Sequence, residues 1–324
     1  MDLNNITIKK CLFVFSDPGG AKPILSIIKN NKFKNYIVYS DRNYNFYKDF
    51  DIEVNIINIS DVENICTEIK PDIIFTGTSY TSELEVQFIK TAKNNSIRTF
   101  SYIDHYTNLK SRFKLNDSFY FPDEIFLIDT NALEIGLKEG LNNYSRLQLL
   151  ENPYHYFLKR WEPKIDRKNL IENFNIKKDV KILVFGPDPL SNVNHISDYG
   201  YDEIDVWKDL EYAITKSNLI EFVIIVKLHP NQNKEYLNQA LIKSKILKNI
   251  YIYDDSNSID LLFHADIIIG MFSSLLIEAN IINIKSKVIR HLPKKNISDP
   301  IKHLNIGLIS QNRSELKSNL NLIL

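Results

Sequence analysis

The sequence predicts an α/β protein built from two Rossmann-like domains, and three features lead to this fold class. Short apolar runs rich in Ile and Val alternate with amphipathic segments, as they do when helices cover both faces of a parallel sheet. The chain has 324 residues, more than one domain usually holds. The strand-helix rhythm restarts at residues 181–185, after a connection that contains prolines. We therefore predict an N-terminal domain over 1–155 and a C-terminal domain over 156–324 that ends in a helix.

Charge and cysteine content narrow the classes of function. Lys plus Arg and Asp plus Glu both number 40, so the charge balance gives no sign of a nucleic-acid partner. The two cysteines, Cys11 and Cys66, are far apart and lack a metal-binding spacing, which favours a reducing compartment. The N-terminal apolar run is too short for a secretion signal, and no run is long enough to span a membrane. We expect a cytoplasmic protein.

The first predicted strand, at 11–15, ends in a turn that contains Asp17, Gly19 and Gly20. The two glycines let the backbone turn tightly or approach a ligand without a Cβ in the way. Their spacing differs from G-x-G-x-x-G, so an ordinary turn and a ligand contact both stay open. Asp17 stands at the carboxyl end of a strand, which makes it a candidate catalytic residue.

The strand predicted at 98–103 ends in a polar run made of Asp104, His105, Tyr106, Thr107 and Asn108. A carboxylate beside an imidazole can supply a general base near neutral pH, because His titrates there when unperturbed. His105 supported by Asp104 is therefore the leading candidate for a base, with Asp17 second. A loop histidine that only bonds to the backbone is the alternative.

In the second half, two predicted strands end in polar groups suited to a charged ligand. These groups are His229-Pro230 after the strand at 223–227, and Ser273-Ser274 after the strand at 267–269. Ligands of open α/β sheets bind at the carboxyl ends of the strands, so we expect both loops to face one crevice.

The two serines open a predicted helix that reaches Glu278. A helix start offers free N–H groups and positive partial charge to a phosphate, so we predict a nucleotide phosphate site here. Gly186, which opens a long polar loop, would let the backbone approach the same ligand. Alternatively, His229 could cap its strand and the serines could serve only as a helix N-cap. We interpret a later basic run as a solvated loop, containing Arg290, Lys294 and Lys295.

The ordered pair of His-Pro and Ser-Ser motifs resembles the HP and SS motifs of bacterial polysialyltransferases, related capsule glycosyltransferases and CDP-glycerol glycerophosphotransferases. The resemblance implies a GT-B fold, with two Rossmann-like domains facing a central cleft and a cytidine nucleotide as donor. It also implies that His229 with Pro230 contacts the donor phosphate or ribose and that Ser273 and Ser274 hold the phosphate. The run that ends in Glu278-Ala279 looks like the broader GT-B pattern in which a glutamate binds the donor ribose.

The chain departs from that pattern in its first half. Polysialyltransferases carry an acidic pair followed by Gly as their base motif. Asp17-Pro18-Gly19 matches this motif only loosely. No Asp-x-Asp motif follows a predicted strand, since Asp49-Phe50-Asp51 precedes one. We therefore expect neither a metal ion nor a cofactor.

These features together predict a metal-independent glycosyltransferase that moves a sugar from a CMP- or CDP-linked donor onto a surface polysaccharide or glycolipid precursor. The partners would be a nucleotide sugar and a carbohydrate acceptor, with a peripheral contact to the inner membrane face as an open alternative. We assign acceptor binding to polar or flexible positions of the first half, namely Gly19, Gly20, Tyr106 and Asn108. A UDP-N-acetylglucosamine 2-epimerase, a sugar-nucleotide hydrolase and a non-enzymatic sugar-nucleotide-binding protein are the alternative functions.

Overall fold

The computed structural model describes residues 9–176, 180–192, 200–255, 257–282, 287–293 and 299–323. The chain divides into two compact units, Met1–Phe157 and Leu158–Leu324, close to the predicted boundary at 155. Each unit contains a parallel sheet with helices packed on it, so the predicted fold class of two Rossmann-like α/β domains is confirmed. Within the described ranges, no helix is both long and apolar enough to cross a bilayer.

The strands of the first unit are β1 (Lys10–Val14), β2 (Asn35–Ser40), β3 (Asn55–Ile56), β4 (Ile73–Thr76), β5 (Arg98–Ile103), β6 (Lys114–Leu115), β7 (Ser118–Phe119), β8 (Glu124–Leu127) and β9 (Arg146–Leu149). Seven of them form one sheet in the order β3-β2-β1-β4-β5-β8-β9, and β6 and β7 form an antiparallel hairpin. The helices are α1 (Pro18–Asn31), α2 (Val62–Ile69), α3 (Leu84–Asn94), α4 (Thr130–Lys138) and, where the two units join, α5 (Pro153–Leu158).

The middle strands of the first sheet are apolar along their length because both faces of the sheet are covered. Every residue of β4 and β8 is buried, as expected for parallel strands between helical layers. Phe75 of β4 stacks on Phe13 of β1 and on Phe126 of β8, with ring centroids 5.9 and 5.6 Å apart. α1 begins at Pro18, whose fixed φ and missing N–H suit the first helical position. The turn between β1 and α1 is consequently short.

The second unit contains the strands β10 (Lys181–Gly186), β11 (Phe222–Lys227), β12 (Ile250–Tyr253), β13 (Ile267–Gly270), β14 (Lys287–His291) and β15 (Leu308–Ser310). All pair in parallel in the order β12-β11-β10-β13-β14-β15, which is the Rossmann order. The helices described in this unit are α6 (Arg167–Glu172), α7 (Glu203–Thr215), α8 (Lys234–Ile242), α9 (Ile259–His264), α10 (Ser274–Ile282) and α11 (Arg313–Ile323).

Two hydrophobic clusters lie on opposite faces of the second sheet. Side chains of α7, α8 and α11, such as Trp207, Leu237 and Leu316, share one cluster. Side chains of α6, α9 and α10 contribute to the other. Leu316 and Leu320 of α11 are fully buried in the second unit's own core.

Candidate functional site

The second unit places its candidate site at the carboxyl ends of β10 and β13, the two strands between which the strand order reverses. Such a switch point is where ligands of open α/β sheets bind. The loops that follow β11, β10, β13 and β14 are therefore neighbours along one edge. These loops contain the predicted motifs at His229 and Ser273.

Two glycines let α10 begin directly over this switch point. Gly186 and Gly270 are register partners in β10 and β13. A Cβ on Gly186 would lie 2.4 Å from Leu275 Cδ2, and one on Gly270 would lie 2.9 Å from Gly186 O. The first turn of α10 packs into the space that these side chains would fill. Gly186 thus permits a close helix-strand approach, while its predicted ligand contact stays a prediction.

A buried carboxylate holds the loop that leads into α10. Asp188 is buried, and its Oδ2 accepts the Phe272 N–H at 3.1 Å. Burial raises the pKa of Asp188 to about 7, although the N–H groups of Phe272 and Met271 and the charge of Arg290 work against that rise. The carboxylate therefore fixes the backbone just before Ser273. Our sequence analysis did not single out Asp188, although its place between two prolines after a strand could have indicated a fixed loop.

A second buried carboxylate joins the loops after β10 and β11. Glu203 accepts hydrogen bonds from Ser191 N at 2.9 Å, Ser191 Oγ at 2.5 Å and Gln232 Nε2 at 2.8 Å. Gln232 N in turn donates to His229 O at 2.9 Å. Glu203 thus holds the His229 loop in a fixed position, a role that the sequence did not indicate because it depends on long-range contacts.

The ring of His229 has a defined hydrogen-bond arrangement. Its Nδ1 accepts the Asn231 N–H at 3.1 Å, so the neutral ring carries its proton on Nε2. A protonated Nε2 can donate a hydrogen bond to a phosphate or hydroxyl oxygen, but it cannot accept a proton as a base would. Pro230 is exposed in the next position.

The two serines at the start of α10 differ in their surroundings. Ser273 Oγ is buried, and no residue in the described part of the chain gives it a hydrogen-bond partner. Ser273 O accepts Leu276 N–H at 3.1 Å, and Ser274 is exposed. A buried hydroxyl without a partner costs about 1–3 kcal/mol, which a ligand oxygen would offset. Glu278 is buried one turn further along the helix, and its predicted contact with a ribose stays a prediction.

Arg290 at the end of β14 corrects our interpretation of the basic run. Its side chain is fully buried, donates from Nε to Met271 O at 3.1 Å and forms an ion pair with Asp299. The guanidinium is therefore a support for the loop before α10, and not part of a solvated loop. Lys294 and Lys295 lie outside the described residues.

The switch point of the first unit lies between β1 and β4. Glycines there let the loops that follow these two strands approach each other closely. A Cβ on Gly77 would lie 2.9 Å from Gly20 Cα, so the loops after the two strands meet backbone to backbone. A Cβ on Gly19 would lie 2.2 Å from Asp104 Oδ2. The Asp104 carboxylate therefore occupies the space beside the start of α1. Gly19 and Gly20 therefore have packing roles, and their predicted contacts with the acceptor stay untested.

Asp17 is engaged by four hydrogen-bond donors. Its Oδ1 accepts Arg42 Nη1 at 2.5 Å and Thr81 Oγ1 at 2.7 Å, and its Oδ2 accepts Ser79 Oγ at 2.8 Å and Tyr80 N at 3.0 Å. Burial would raise the pKa of Asp17, but these donors and the Arg42 charge lower it. The geometry favours a role in joining loops, because the lone pairs that a base would use are occupied.

His105 and Asp104 have separate partners. His105 Nδ1 accepts Thr107 N at 3.2 Å and lies 2.9 Å from Thr107 Oγ1, so the neutral ring carries its proton on Nε2. Desolvation of the ring lowers the pKa of His105, and Arg112 adds to this while Asp104 opposes it. Asp104 is 16% exposed, and its Oδ1 lies 4.0 Å from Arg112 Nη1. The predicted arrangement, in which Asp104 orients the imidazole, is absent between these two described side chains.

The two other predicted acceptor residues differ in accessibility. Tyr106 is buried, and its hydroxyl donates to Asp129 Oδ2 at 2.7 Å. Asp129 caps α4 by accepting Ala132 N–H at 2.8 Å, so Tyr106 joins the loop after β5 to that helix. Asn108 is exposed and has a left-handed backbone with φ of 54°. Of the two, only Asn108 presents its side chain to solvent.

Comparisons with known proteins identify the fold. No protein-family model matches the chain, and no curated protein matches it in sequence. The structure of S. aureus MnaA with UDP is similar at 15% identity, covering 97% of this chain and 87% of that one, with a TM-score of 0.65. The UDP-GlcNAc 2-epimerase of Neisseria meningitidis bound to UDP-GlcNAc is similar at 14% identity, with coverage of 97% and 91% and a TM-score of 0.65.

A glycosyltransferase has the same fold. The ADP-heptose LPS heptosyltransferase II of E. coli is similar at 12% identity, covering 97% of this chain and 98% of that one, with a TM-score of 0.51. The chain therefore has the two-domain α/β fold found in both 2-epimerases and glycosyltransferases. At these identities the similarity concerns the fold, and the fold hosts several reactions.

Proposed function

We propose that the chain is an enzyme that acts on a nucleotide sugar and binds its phosphate at the start of α10. The observation that carries this proposal is the buried Ser273 Oγ, which has no partner among the described residues and lies where α10 begins. The free N–H groups of a helix start and a hydroxyl donor together suit a phosphate oxygen. His229 lies in the neighbouring loop after β11, and we assign it to the donor phosphate or ribose.

Preorganisation supports the same proposal. Asp188 and Glu203 hold the loops after β10, β11 and β13 through hydrogen bonds within the chain itself. Donors held in place need no reorganisation when a phosphate binds, so the binding free energy is not spent on ordering these loops. We assign Ser273 and Ser274 to the phosphate, and Glu278 to the ribose.

For the reaction, we propose glycosyl transfer from a CMP- or CDP-linked donor to a hydroxyl of a polysaccharide or glycolipid precursor. The acceptor oxygen bonds to the anomeric carbon as the bond from that carbon to the phosphate oxygen breaks. The hydroxyl proton passes to a base, and the electron pair of the broken bond goes to the phosphate. Among the predicted residues, Asp104 suits the base role better than His105 or Asp17, because its carboxylate has fewer donors on it.

A second candidate function is 2-epimerisation of a UDP-sugar. It is favoured by the fold similarity to S. aureus MnaA and to the N. meningitidis 2-epimerase, whose structures contain UDP and UDP-GlcNAc. The two functions differ in what they release. Conversion of UDP-GlcNAc alone, followed by proton NMR, would favour epimerisation, whereas nucleotide release that requires an added saccharide acceptor would favour transfer.

Calorimetric titration tests the phosphate site itself. We would titrate CMP, CDP and UDP separately into the wild-type chain and into the Ser273→Ala/Ser274→Ala variant. Loss of hydrogen bonds to a charged group should weaken nucleotide binding by about 1.5–3 kcal/mol for each bond lost. Ser314→Ala, an exposed serine in the first turn of α11, is the matched control. Equal affinities for the wild type and the folded double variant would contradict the proposal.

A further inference from the structure

One edge of the second unit combines exposed apolar side chains with lysines. The helices α7, α8 and α11 pack on the same face of the sheet and follow parallel strands, so their carboxyl ends lie at the amino edge of the sheet. Contacts confirm that these ends are neighbours: Asn218 N donates to Asn321 Oδ1 at 3.2 Å, and Ser244 Oγ donates to Glu211 Oε1 at 2.7 Å. We call this region the amino edge.

Three large aliphatic side chains at the amino edge are at least 67% exposed, and Leu247 in the same region is 45% exposed. Ile220 is 80% exposed, Leu322 is 73% exposed and Ile242 is 67% exposed. In each segment the neighbouring apolar residue, which is Leu219, Ile323 or Leu241, packs in or against the hydrophobic cluster shared by α7, α8 and α11. The exposed side chains are therefore not needed for folding. Each of the three side chains lies at the end of a different segment. They therefore protrude from the surface separately and do not line a groove.

The charged side chains around these projections are mostly cationic. The exposed lysines of the same segments are Lys216, Lys243, Lys245 and Lys248, and Lys287 joins them by donating to Ile323 O at 2.9 Å. Among the described residues, the acidic side chains here are Glu221, which is exposed, and Glu211, whose Oε1 accepts Ser244 Oγ and Lys245 N. Asp266, just before β13, is paired with Arg167 and Lys181. The amino edge is thus positively charged.

We propose that the amino edge binds the surface of an anionic lipid bilayer. Exposed aliphatic side chains enter the boundary between headgroups and acyl chains, while lysines extend their alkyl stems and keep their charges among the phosphates. A protein partner fits less well, because protein interfaces are enriched in aromatic residues and Arg and depleted in Lys. The exposed residues that form the edge have the opposite composition. This inference does not depend on the nucleotide site.

Vesicle co-sedimentation tests the proposal on the full chain. We would use vesicles of phosphatidylcholine alone and vesicles containing about one third phosphatidylglycerol, at low and high salt. The wild type should bind the anionic vesicles, and high salt should weaken binding because lysine attraction is screened. The Ile220→Asp/Leu322→Asp variant and the Lys216→Glu/Lys243→Glu variant should each bind the anionic vesicles about tenfold or more weakly.

Matched controls are Ile56→Asp and Lys48→Glu, which change exposed residues of the first unit and should bind like the wild type. All variants change exposed positions, and unchanged melting curves would establish that they fold. Wild-type binding by a folded amino-edge variant would overturn the proposal. The proposal would also be overturned if the wild type failed to bind anionic vesicles. If light scattering then found a wild-type dimer that the amino-edge variants dissociate, the amino edge would be a protein interface instead.

Discussion

Replacing Glu85 with Gln should remove a loss of stability that the wild type suffers as pH rises. Glu85 is 2% exposed and accepts Ser16 N and Ser16 Oγ, both at 3.0 Å. Burial raises its pKa to about 8 from the ordinary 4.5, against the opposing hydrogen bond from Ser16, and the nearby Asp17 and Asp41 add to the rise. The folded chain therefore keeps this proton at pH values where the unfolded chain has lost it.

The sign and size of the effect follow from this difference in proton binding. Between the two pKa values the folded state binds more protons, so the free energy of unfolding falls as pH rises. The limiting slope is about 1.4 kcal/mol per pH unit, so the loss between pH 5 and pH 8 is on the order of 4 kcal/mol. A Gln amide keeps both contacts, because its oxygen can accept Ser16 N–H and its NH₂ group can donate to Ser16 Oγ.

Urea unfolding at several pH values between 5 and 8 measures the prediction. The Glu85→Gln variant should match the wild type at pH 5 to within about 1 kcal/mol and should be several kcal/mol more stable at pH 8. Glu83→Gln, which changes an exposed neighbour, is the control and should keep the wild-type pH dependence. If wild type and Glu85→Gln lose stability in parallel as pH rises, then Glu85 is not the protonated buried acid described above.

Four further variants test the first unit. Gly19→Ala should keep the fold but displace the Asp104 carboxylate, since its Cβ would lie 2.2 Å from Oδ2; unchanged turnover in a folded variant would rule out a positioned Asp104. Asp104→Asn should lower turnover by roughly 10²- to 10⁴-fold, and His105→Ala should lower it by less. If steady-state kinetics showed the larger loss of turnover in His105→Ala, the base role would return to His105. Gly77→Ala should destabilise the chain by roughly 1–3 kcal/mol through its contact with Gly20, and a melting temperature equal to that of the wild type would contradict this packing.

The sequence was sufficient to predict the layered fold and the position of the two second-unit motifs in it. Runs such as residues 223–227 and 267–269 are apolar throughout, which is typical of strands buried on both faces. The polar residues that follow them had to lie at one edge of the sheet. The structure places His229 and Ser273 at that edge, so this part of the argument needed only local pattern and topology.

The supports of the site could not be predicted, because they depend on contacts between residues far apart in the chain. Glu203 bonds to Gln232, and Asp188 bonds to the backbone of Phe272, and neither pair has a spacing that marks it. Arg290 occurs in a run of cations, which suggested a solvated loop, yet Asp299 and a carbonyl satisfy it in the interior. The hydrogen bond that sets the His105 tautomer depends on the course of a loop, which residue type alone does not determine.

Amide hydrogen exchange with and without nucleotide tests the central claim most directly. Adding saturating CDP or UDP should slow exchange at the start of α10, over residues 272–276, and in the loop at 229–232. The first-unit loops at residues 16–20 and 104–108 should change less, because the proposed phosphate site lies in the second unit. Slower exchange confined to the first unit, with residues 272–276 unaffected by a nucleotide that binds, would contradict a phosphate site at α10.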